Sequence, residues 1–270
     1  LASPAGLGVI GLGRMAQALL IPLLEHGELS PEGVHAVVAS SASAQRLQKQ
    51  LGVTVGTDPG PAWDQPVLLL AVKPQQLQQV AAAAPPFDPA RPPLLVSVLA
   101  GVTLQRLQQC FPHARVVRAV PNTPCLVRAG ITGLAWGAAV EQEQRDQLRR
   151  WFEALGQVVE LPERQLDGFL ALASSGPAMA ALLIEALADG GVAAGLPRSL
   201  ALDTALAMLD GSIALLRQQG LHPGQLKDMV ASPAGTTIAA LRRLEQGGVR
   251  SALIEAVLAA AERSRALAEA

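Results

Sequence analysis

The sequence contains no tyrosine, and aromatic residues fill only 3% of its 270 positions. So few rings cannot build a base-stacking surface or a carbohydrate platform. The expected ligand is small and recognised by backbone groups and aliphatic walls. Cysteine is equally scarce: Cys110 and Cys125 are too few for a four-ligand structural zinc site or a disulfide framework. A reducing cytoplasm is the expected compartment. Charge is sparse and balanced, 21 Lys plus Arg against 22 Asp plus Glu, for a formal charge of -1. Without a basic excess or a Lys/Arg block, nucleic acid is not an expected partner. The longest apolar run, Leu94 to Leu104, is broken by Ser97, Gly101 and Thr103. It falls short of the roughly 20 apolar residues that a spanning helix needs, so no membrane partner is expected. The mean hydropathy of +0.32 is then assigned to Ala, Leu and Val in buried elements. The opening Leu1 to Gly6 has no basic segment ahead of an apolar stretch, and no secretory signal is expected. His26, His35, His113 and His222 have no Ser, Asp or Cys partner at a recognisable spacing, so neither a triad nor a metal site is indicated.

What is present is apolar. Hydrophobic residues make up 50% of a chain long enough for about two domains. In the first half, Leu7 to Ile10, His35 to Ala39, Val67 to Val72, Leu94 to Val98 and Arg115 to Val120 read as strands. Between the first of these lie helical patterns, Met15 to His26 and Ala42 to Leu51, stopped at Gly27 and Gly52. A helix from Glu141 to Leu155 and a strand from Val158 to Leu161 close this half. Continuous apolar strands alternating with helices predict a doubly wound, Rossmann-type parallel sheet. Pro162 is the expected boundary, giving a dinucleotide-binding domain over 1–161 and an all-α domain over 162–270. Helices are expected near Glu163 to Ala173, Pro177 to Ala194, Pro197 to Gln219, Gly224 to Val230, Thr236 to Gln246 and Val249 to Ala268. Several are apolar on more than one face, and a helix apolar all round is a buried one. A second copy of the chain is the expected cover.

Gly11-Leu12-Gly13-Arg14-Met15-Ala16 directly follows the first strand and opens a helix. Gly11 permits the tight turn, Gly13 the approach of a pyrophosphate, and Ala16 close helix–strand packing. Versions that bind NAD place an acid at the end of the second strand for the ribose 2′-hydroxyl. Here that region reads Ala39-Ser40-Ser41-Ala42-Ser43, with Arg46 beyond. Hydroxyls and a guanidinium suit a 2′-phosphate, so NADPH is favoured with NADH as the alternative. The same serines would also serve as caps of the next helix. Ala71-Val72-Lys73-Pro74, Ala100-Gly101 and Pro121-Asn122-Thr123-Pro124 each end a buried strand, where such sheets place their ligand crevice. Lys73 is read either as a cofactor neighbour or as a solvated lysine, and Asn122 as a partner of the nicotinamide end or as a turn residue. Cys110 and Cys125 are read as core or loop residues rather than nucleophiles.

In the second half, His222 to Asp228 is followed by Ser232-Pro233-Ala234-Gly235-Thr236-Thr237, a tight loop feeding a helix. Its free N–H groups and hydroxyls suit a carboxylate. A helix start capped by Thr236 is the competing reading.

With this loop the chain resembles the pyrroline-5-carboxylate reductases nearly end to end. The resemblance is carried by Val9 to Ala16, Ala71 to Pro74, Ala100 to Val102, Asn122 to Pro124, Ser175 to Ala178, Ala188 to Gly191, Gly195 to Pro197, His222 to Asp228, Ser232 to Leu241 and Leu244 to Gly248. It implies an NADPH-dependent reduction of a cyclic imine acid to L-proline. It implies also a Rossmann domain, and a helical domain that interleaves with a second subunit in a homodimer, dimers often assembling further. Ser232 and the N–H groups of Gly235, Thr236 and Thr237 would hold the substrate carboxylate, and Thr237 Oγ the ring nitrogen. The chain departs from the family pattern in two places. Ala173-Ser174-Ser175-Gly176-Pro177-Ala178-Met179 stands where the family has Ser-Gly-Ser-Gly-Pro-Ala-Tyr, and Pro233-Ala234-Gly235 where it has Pro-Gly-Gly. The methyl of Ala234 would narrow the loop if that residue has positive φ. Two other readings are an imine reductase acting on a related cyclic imine and a non-catalytic NADPH-binding regulator.

Overall fold

The computed structural model describes residues 6–269. They divide into two compact units, one running to Ser175 and regaining the chain at Ala259, the other Gly176–Leu258.

In the first unit the chain passes through β1 (Leu7–Ile10), α1 (Arg14–Glu25), β2 (Val34–Val37), α2 (Ser41–Leu51), β3 (Thr54–Gly56), α3 (Gly60–Trp63) and β4 (Val67–Leu70). It continues through α4 (Leu77–Ala83), β5 (Leu94–Ser97), α5 (Leu104–Cys110), β6 (Arg115–Val120), β7 (Gly130–Trp136), α6 (Gln142–Glu153), β8 (Gly156–Glu160) and α7 (Leu166–Phe169). The strands form one sheet in the order β3-β2-β1-β4-β5-β6-β7-β8. Every pair is parallel except β6 with β7.

Alternate strand residues face opposite sides, and both sides are covered. Val9, Leu69, Val96 and Val117 meet Leu19, Leu20 and Leu23 of α1 and Leu148 and Phe152 of α6. Ile10, Leu68, Leu70 and Leu95 meet Trp63, Leu77, Leu107 and Phe111. This two-sided burial is why the strands read as unbroken apolar runs, each buried leucine contributing about 1.5–3 kcal/mol.

Two strands escape the sequence reading. β3 has three residues, too few for a pattern. β7 carries Gly130 and Gly133, which speak against a strand. Gly133 is set by packing: a Cβ there would lie 2.8 Å from the Phe169 ring.

The division expected at Pro162 and the compact unit's end at Ser175 differ by one segment. Leu166 is buried with Val120 and Ala135, and Phe169 and Leu170 pack against them. The stretch from Pro162 to Ser175 therefore belongs physically to the sheet.

The second unit holds α8 (Gly176–Ala193), α9 (Arg198–Gln219), α10 (Pro223–Val230), α11 (Thr236–Gln246) and most of α12 (Val249–Glu269). The helices expected from Pro177 onward are all present within a few residues, whereas the one expected over Glu163 to Ala173 is a 3-10 turn, the four residues of α7 and a π-helical turn. Of this unit only Ala188, Ala201 and Ala205 are buried, whereas Leu182, Leu206, Met208, Ile213 and Leu258 lie open.

The expectation that no apolar stretch reaches spanning length needs correction. The helical run Glu163–Ala193 and α9 hold 18-residue windows of mean hydropathy 1.6 and 1.5, long and apolar enough by length and composition to cross a membrane. Alanine and glycine interrupt the large apolar residues, so no run catches the eye, yet they keep the average high.

Candidate functional site

The first glycine-rich turn is built as its spacing predicts. Gly11 has φ +90° and donates its N–H to Val37 O at 3.1 Å. A Cβ on it would lie 2.8 Å from Val72 Cγ1 and 3.0 Å from Ala71 O. Gly13 is different: a Cβ there would meet nothing within 4 Å. It is also the N-cap of α1 and no side chain caps that helix end. The N–H groups of the first turn thus face open space, with the positive end of the helix dipole behind them.

That space is a cleft of about 640 Å³ whose lining includes Gly11, Leu12, Gly13, Arg14, Ala71, Val72 and Lys73. Its volume falls in the range of small-molecule sites. Met15 and Ala16 do not line it, and Ala16 is fully buried. Three cations, Arg14, Arg46 and Lys73, face the cleft, and no lining residue is acidic. A phosphorylated dinucleotide fits this donor set. Lys73 is thereby placed as a cleft residue, its backbone N–H donating to Gln76 Oε1 at 3.1 Å.

At the end of β2 the expected serines separate. Ser40 is the N-cap of α2, its Oγ accepting the N–H of Ser43 at 3.3 Å. Ser41 begins that helix and does not line the cleft. Ala39, Ser43 and Arg46 line the cleft here, and Ser40 and Ser41 stand beside them at the start of α2. Because α2 starts at Ser41, one turn of helix carries positions 43 and 46 round to the cleft side. Sequence reading also missed Thr57, Trp63, Gln76 and Gln79 in the lining. No motif marks them: Thr57 follows β3, Trp63 ends α3, Gln76 precedes α4 and Gln79 lies within it.

Ala100, Gly101 and Asn122 do not line this cleft. They follow the carboxyl ends of β5 and β6, one and two strands beyond β4. Asn122 is 7% exposed. Its Nδ2 donates to Ala173 O at 3.1 Å and its Oδ1 accepts the N–H of Ile131 at 2.9 Å. The amide is a bracket between β7 and the chain after α7 rather than a turn residue alone. Cys125 beside it is fully buried, and burial pushes its thiol pKa up, which disfavours the thiolate.

In the second unit, Gly235 N–H donates to Ser232 O at 3.0 Å, closing a turn through Pro233 and Ala234. Ala234 has φ +58°, the left-handed conformation. Gly235 is the N-cap of α11, again without a side-chain cap bond. The reading of Thr236 as N-cap is corrected: Thr236 is already the first helical residue, so its hydroxyl cannot fold back over the helix end. The N–H groups that a cap would have occupied stay free.

Residues 163–267 match the family described as pyrroline-5-carboxylate reductase dimerisation, and residues 6–101 match NADP oxidoreductase, coenzyme F420-dependent. A pyrroline-5-carboxylate reductase of Synechocystis sp. is 47% identical over 262 residues, 97% of either chain. The chain belongs to the pyrroline-5-carboxylate reductases. The crystal structure of the Plasmodium falciparum pyrroline carboxylate reductase, with NADP bound, superposes with a TM-score of 0.90 at 27% identity over 98% of both chains. That of the Streptococcus pyogenes 1-pyrroline-5-carboxylate reductase gives 0.90 at 28% identity over 97% of this chain and 98% of its own. This reductase is an NAD(P)H oxidoreductase with an amino-terminal NADP-binding sheet and a carboxyl-terminal dimerisation domain, and it is a homo-oligomer.

Proposed function

We propose that the enzyme draws its hydride from NADPH in preference to NADH and holds the imine acid by the loop Ser232 to Thr237. The reaction is the reduction of 1-pyrroline-5-carboxylate to L-proline, the last step of proline biosynthesis. Support for NADPH is the lining of the cleft: Ser43 and Arg46 of α2 face it just beyond β2, and no carboxylate does. Gly11 to Arg14, Ala71, Val72 and Lys73 would hold the phosphates, while Ala100, Gly101 and Asn122 would stand toward the nicotinamide end. The bound dihydronicotinamide supplies a hydride.

The observation that carries the substrate reading is the uncapped start of α11. The N–H groups of Gly235, Thr236 and Thr237 fix the carboxylate, with Ser232 closing the turn beneath them. Thr237 Oγ holds a hydrogen bond to the ring nitrogen while the imine carbon is reduced. The imine of such an acid is protonated in water near neutrality, so the site needs positioning more than a strong acid. Each active site draws on both chains of a homodimer, and dimers assemble further. Two thiols outside any disulfide suit the cytoplasm.

The deciding experiment follows NADPH oxidation with purified enzyme and 1-pyrroline-5-carboxylate, with NADH and the six-membered homologue in parallel. Faster turnover of the five-membered acid with NADPH is expected. Equal rates with NADH would overturn the cofactor preference, and preference for the homologue would make the enzyme an imine reductase of another substrate. Binding of NADPH without turnover of either acid would turn the reading to a regulator.

A further inference from the structure

The chain after α7 does not continue as an α-helix. Leu170–Ser174 is π-helical, and the N–H of Ser175 reaches back five residues to Leu170 O at 3.1 Å. Such a turn shifts the register of everything after it and is favoured at functional sites. Here the shift brings two groups against the loop that follows β6. Ala173 O accepts from Asn122 Nδ2 at 3.1 Å, and Ser174 Oγ donates to Pro121 O at 2.6 Å. Pro121 and Asn122 are the first residues beyond the carboxyl end of β6.

We propose that Ser174 is a positioning residue for the nicotinamide end of the cofactor, acting through the Pro121–Asn122 backbone. The phosphate cleft lies over β1 and β4, so an extended dinucleotide held there runs on toward the ends of β5 and β6. The loop after β6 is then a wall of the ring site. Asn122 ties one edge of this loop to Ile131 of β7 and to Ala173, and the Ser174 hydroxyl ties the carbonyl just before it. Two adjacent residues of the π-helical turn thus grip two adjacent residues of the loop. The Ser174 bond is short and half-buried, which sharpens its geometry. A glycine or alanine at this position has no hydroxyl to make it. The Ser174 hydroxyl is therefore a clamp on the wall against which the ring is aligned. The inference rests on the reading that Asn122 lies toward the nicotinamide.

The test compares Ser174→Gly, Ser174→Ala and Ser174→Thr with the parent enzyme, without imine first. The emission of bound NADPH comes from the dihydronicotinamide and rises as that ring is immobilised. Lower emission in the glycine and alanine variants is expected, at a dissociation constant within about twofold of the parent, because the phosphates dominate affinity. Ser174→Thr keeps the hydroxyl and should keep the emission. In turnover, kcat of the glycine and alanine variants should fall about three- to tenfold, the worth of one hydrogen bond. A primary isotope effect with 4-deuterated NADPH should grow in the same variants. Parent-like emission and isotope effect in Ser174→Ala would overturn the proposal, as would equal damage in Ser174→Thr. Binding of NADPH by the parent with no rise in emission would instead overturn the placement of the ring at this loop, and the clamp with it.

Discussion

The guanidinium of Arg118, at 4% side-chain exposure in the middle of β6, donates to Glu163 Oε1 at 2.9 Å. The same oxygen accepts the N–H of Leu104, the first residue of α5, at 2.6 Å. Arg118 Nη2 lies 3.8 Å from Asp167, whose Oδ1 accepts the Ser264 hydroxyl at 2.8 Å. One buried cation thereby ties β6, the start of α5, the segment after Pro162 and the end of α12. Glu163 belongs by sequence to the helical half, yet it completes the α/β unit.

The pair should be costly to break from the arginine side. Arg118→Met leaves two carboxylates facing each other, and a loss toward the lower end of about 3–5 kcal/mol is expected, since Glu163 keeps some contact with water. Glu163→Gln keeps an oxygen for Leu104 and should cost less. Urea unfolding followed by circular dichroism measures both. A loss for Arg118→Met below that of Glu163→Gln would show that the pair does not anchor the segment.

The two glycines of the first turn should fail in different ways. Gly11→Ala strains a backbone at φ +90° and drives a methyl against Ala71 O, so a stability loss of about 1–3 kcal/mol is expected. Gly13→Ala meets no protein atom, so its melting temperature should stay near the parent's. Its methyl would occupy the space that the phosphates need, and NADPH affinity should drop. Calorimetric titration with NADPH checks the pair. Unchanged affinity in Gly13→Ala would remove the phosphates from that turn.

The contrast between those glycines also shows what was legible in the sequence. The turn, its helix and the apolar strands follow from local chemistry, because two-sided burial writes itself as unbroken runs such as Val67 to Leu70. β7 was hidden because Gly133 answers to a distant ring, Phe169. The motif located the cleft, but its far wall was not readable: Thr57 follows β3, Trp63 ends α3 and Gln76 precedes α4. Which serine caps α2 was not readable, since only the observed start of that helix shows that Ser40 is the cap and that Ser43 faces the cleft. The positive φ of Ala234 was legible as a condition, a methyl where the loop calls for glycine, and the structure meets it.

Ala234 stores strain in the loop from Ser232 to Thr237. An L residue in the left-handed region costs about 1–2 kcal/mol, and glycine adds back about 0.5–1 kcal/mol of unfolded-chain entropy. Ala234→Gly should therefore raise stability slightly or leave it unchanged. It should also raise kcat/KM for the six-membered imine acid relative to the five-membered one. Gly235→Ala should lower stability instead, because a Cβ there would push the Ser232 hydroxyl aside and press on Ser232 O at 3.1 Å. Thermal melts and steady-state rates on both acids test the two variants. An unchanged substrate ratio in Ala234→Gly would clear the methyl of any part in selection.

Thr237 should separate chemistry from binding. Thr237→Ala keeps the backbone N–H that would hold the carboxylate but loses the hydroxyl. The expected result is a fall in kcat of about ten- to a hundredfold with NADPH affinity unchanged. Thr237→Ser should recover most of the rate. Equal kcat in the parent and Thr237→Ala would remove the hydroxyl from the mechanism.

The helical unit should have no stable life as a single copy. Only Ala188, Ala201 and Ala205 are buried among Gly176–Leu258, and alanines bury little area. Leu182 and Leu206, at 66% and 47% exposure, are among many large apolar side chains left open. Each would contribute about 1.5–3 kcal/mol if covered, so a handful of such contacts outweighs the cost of association. The same open faces explain why α9 passes for a membrane span in hydropathy: a partner subunit and a lipid bilayer both demand apolar side chains. They differ in what they tolerate, since Arg198, Asp203, Asp210 and Arg217 punctuate α9 along its length, which lipid disfavours and a protein partner can leave at its rim. Leu206→Glu should therefore dissociate or unfold the enzyme and abolish turnover, read by light scattering and rate on the same sample. A monodisperse monomer of the parent enzyme with full activity would show that the apolar faces have some other partner.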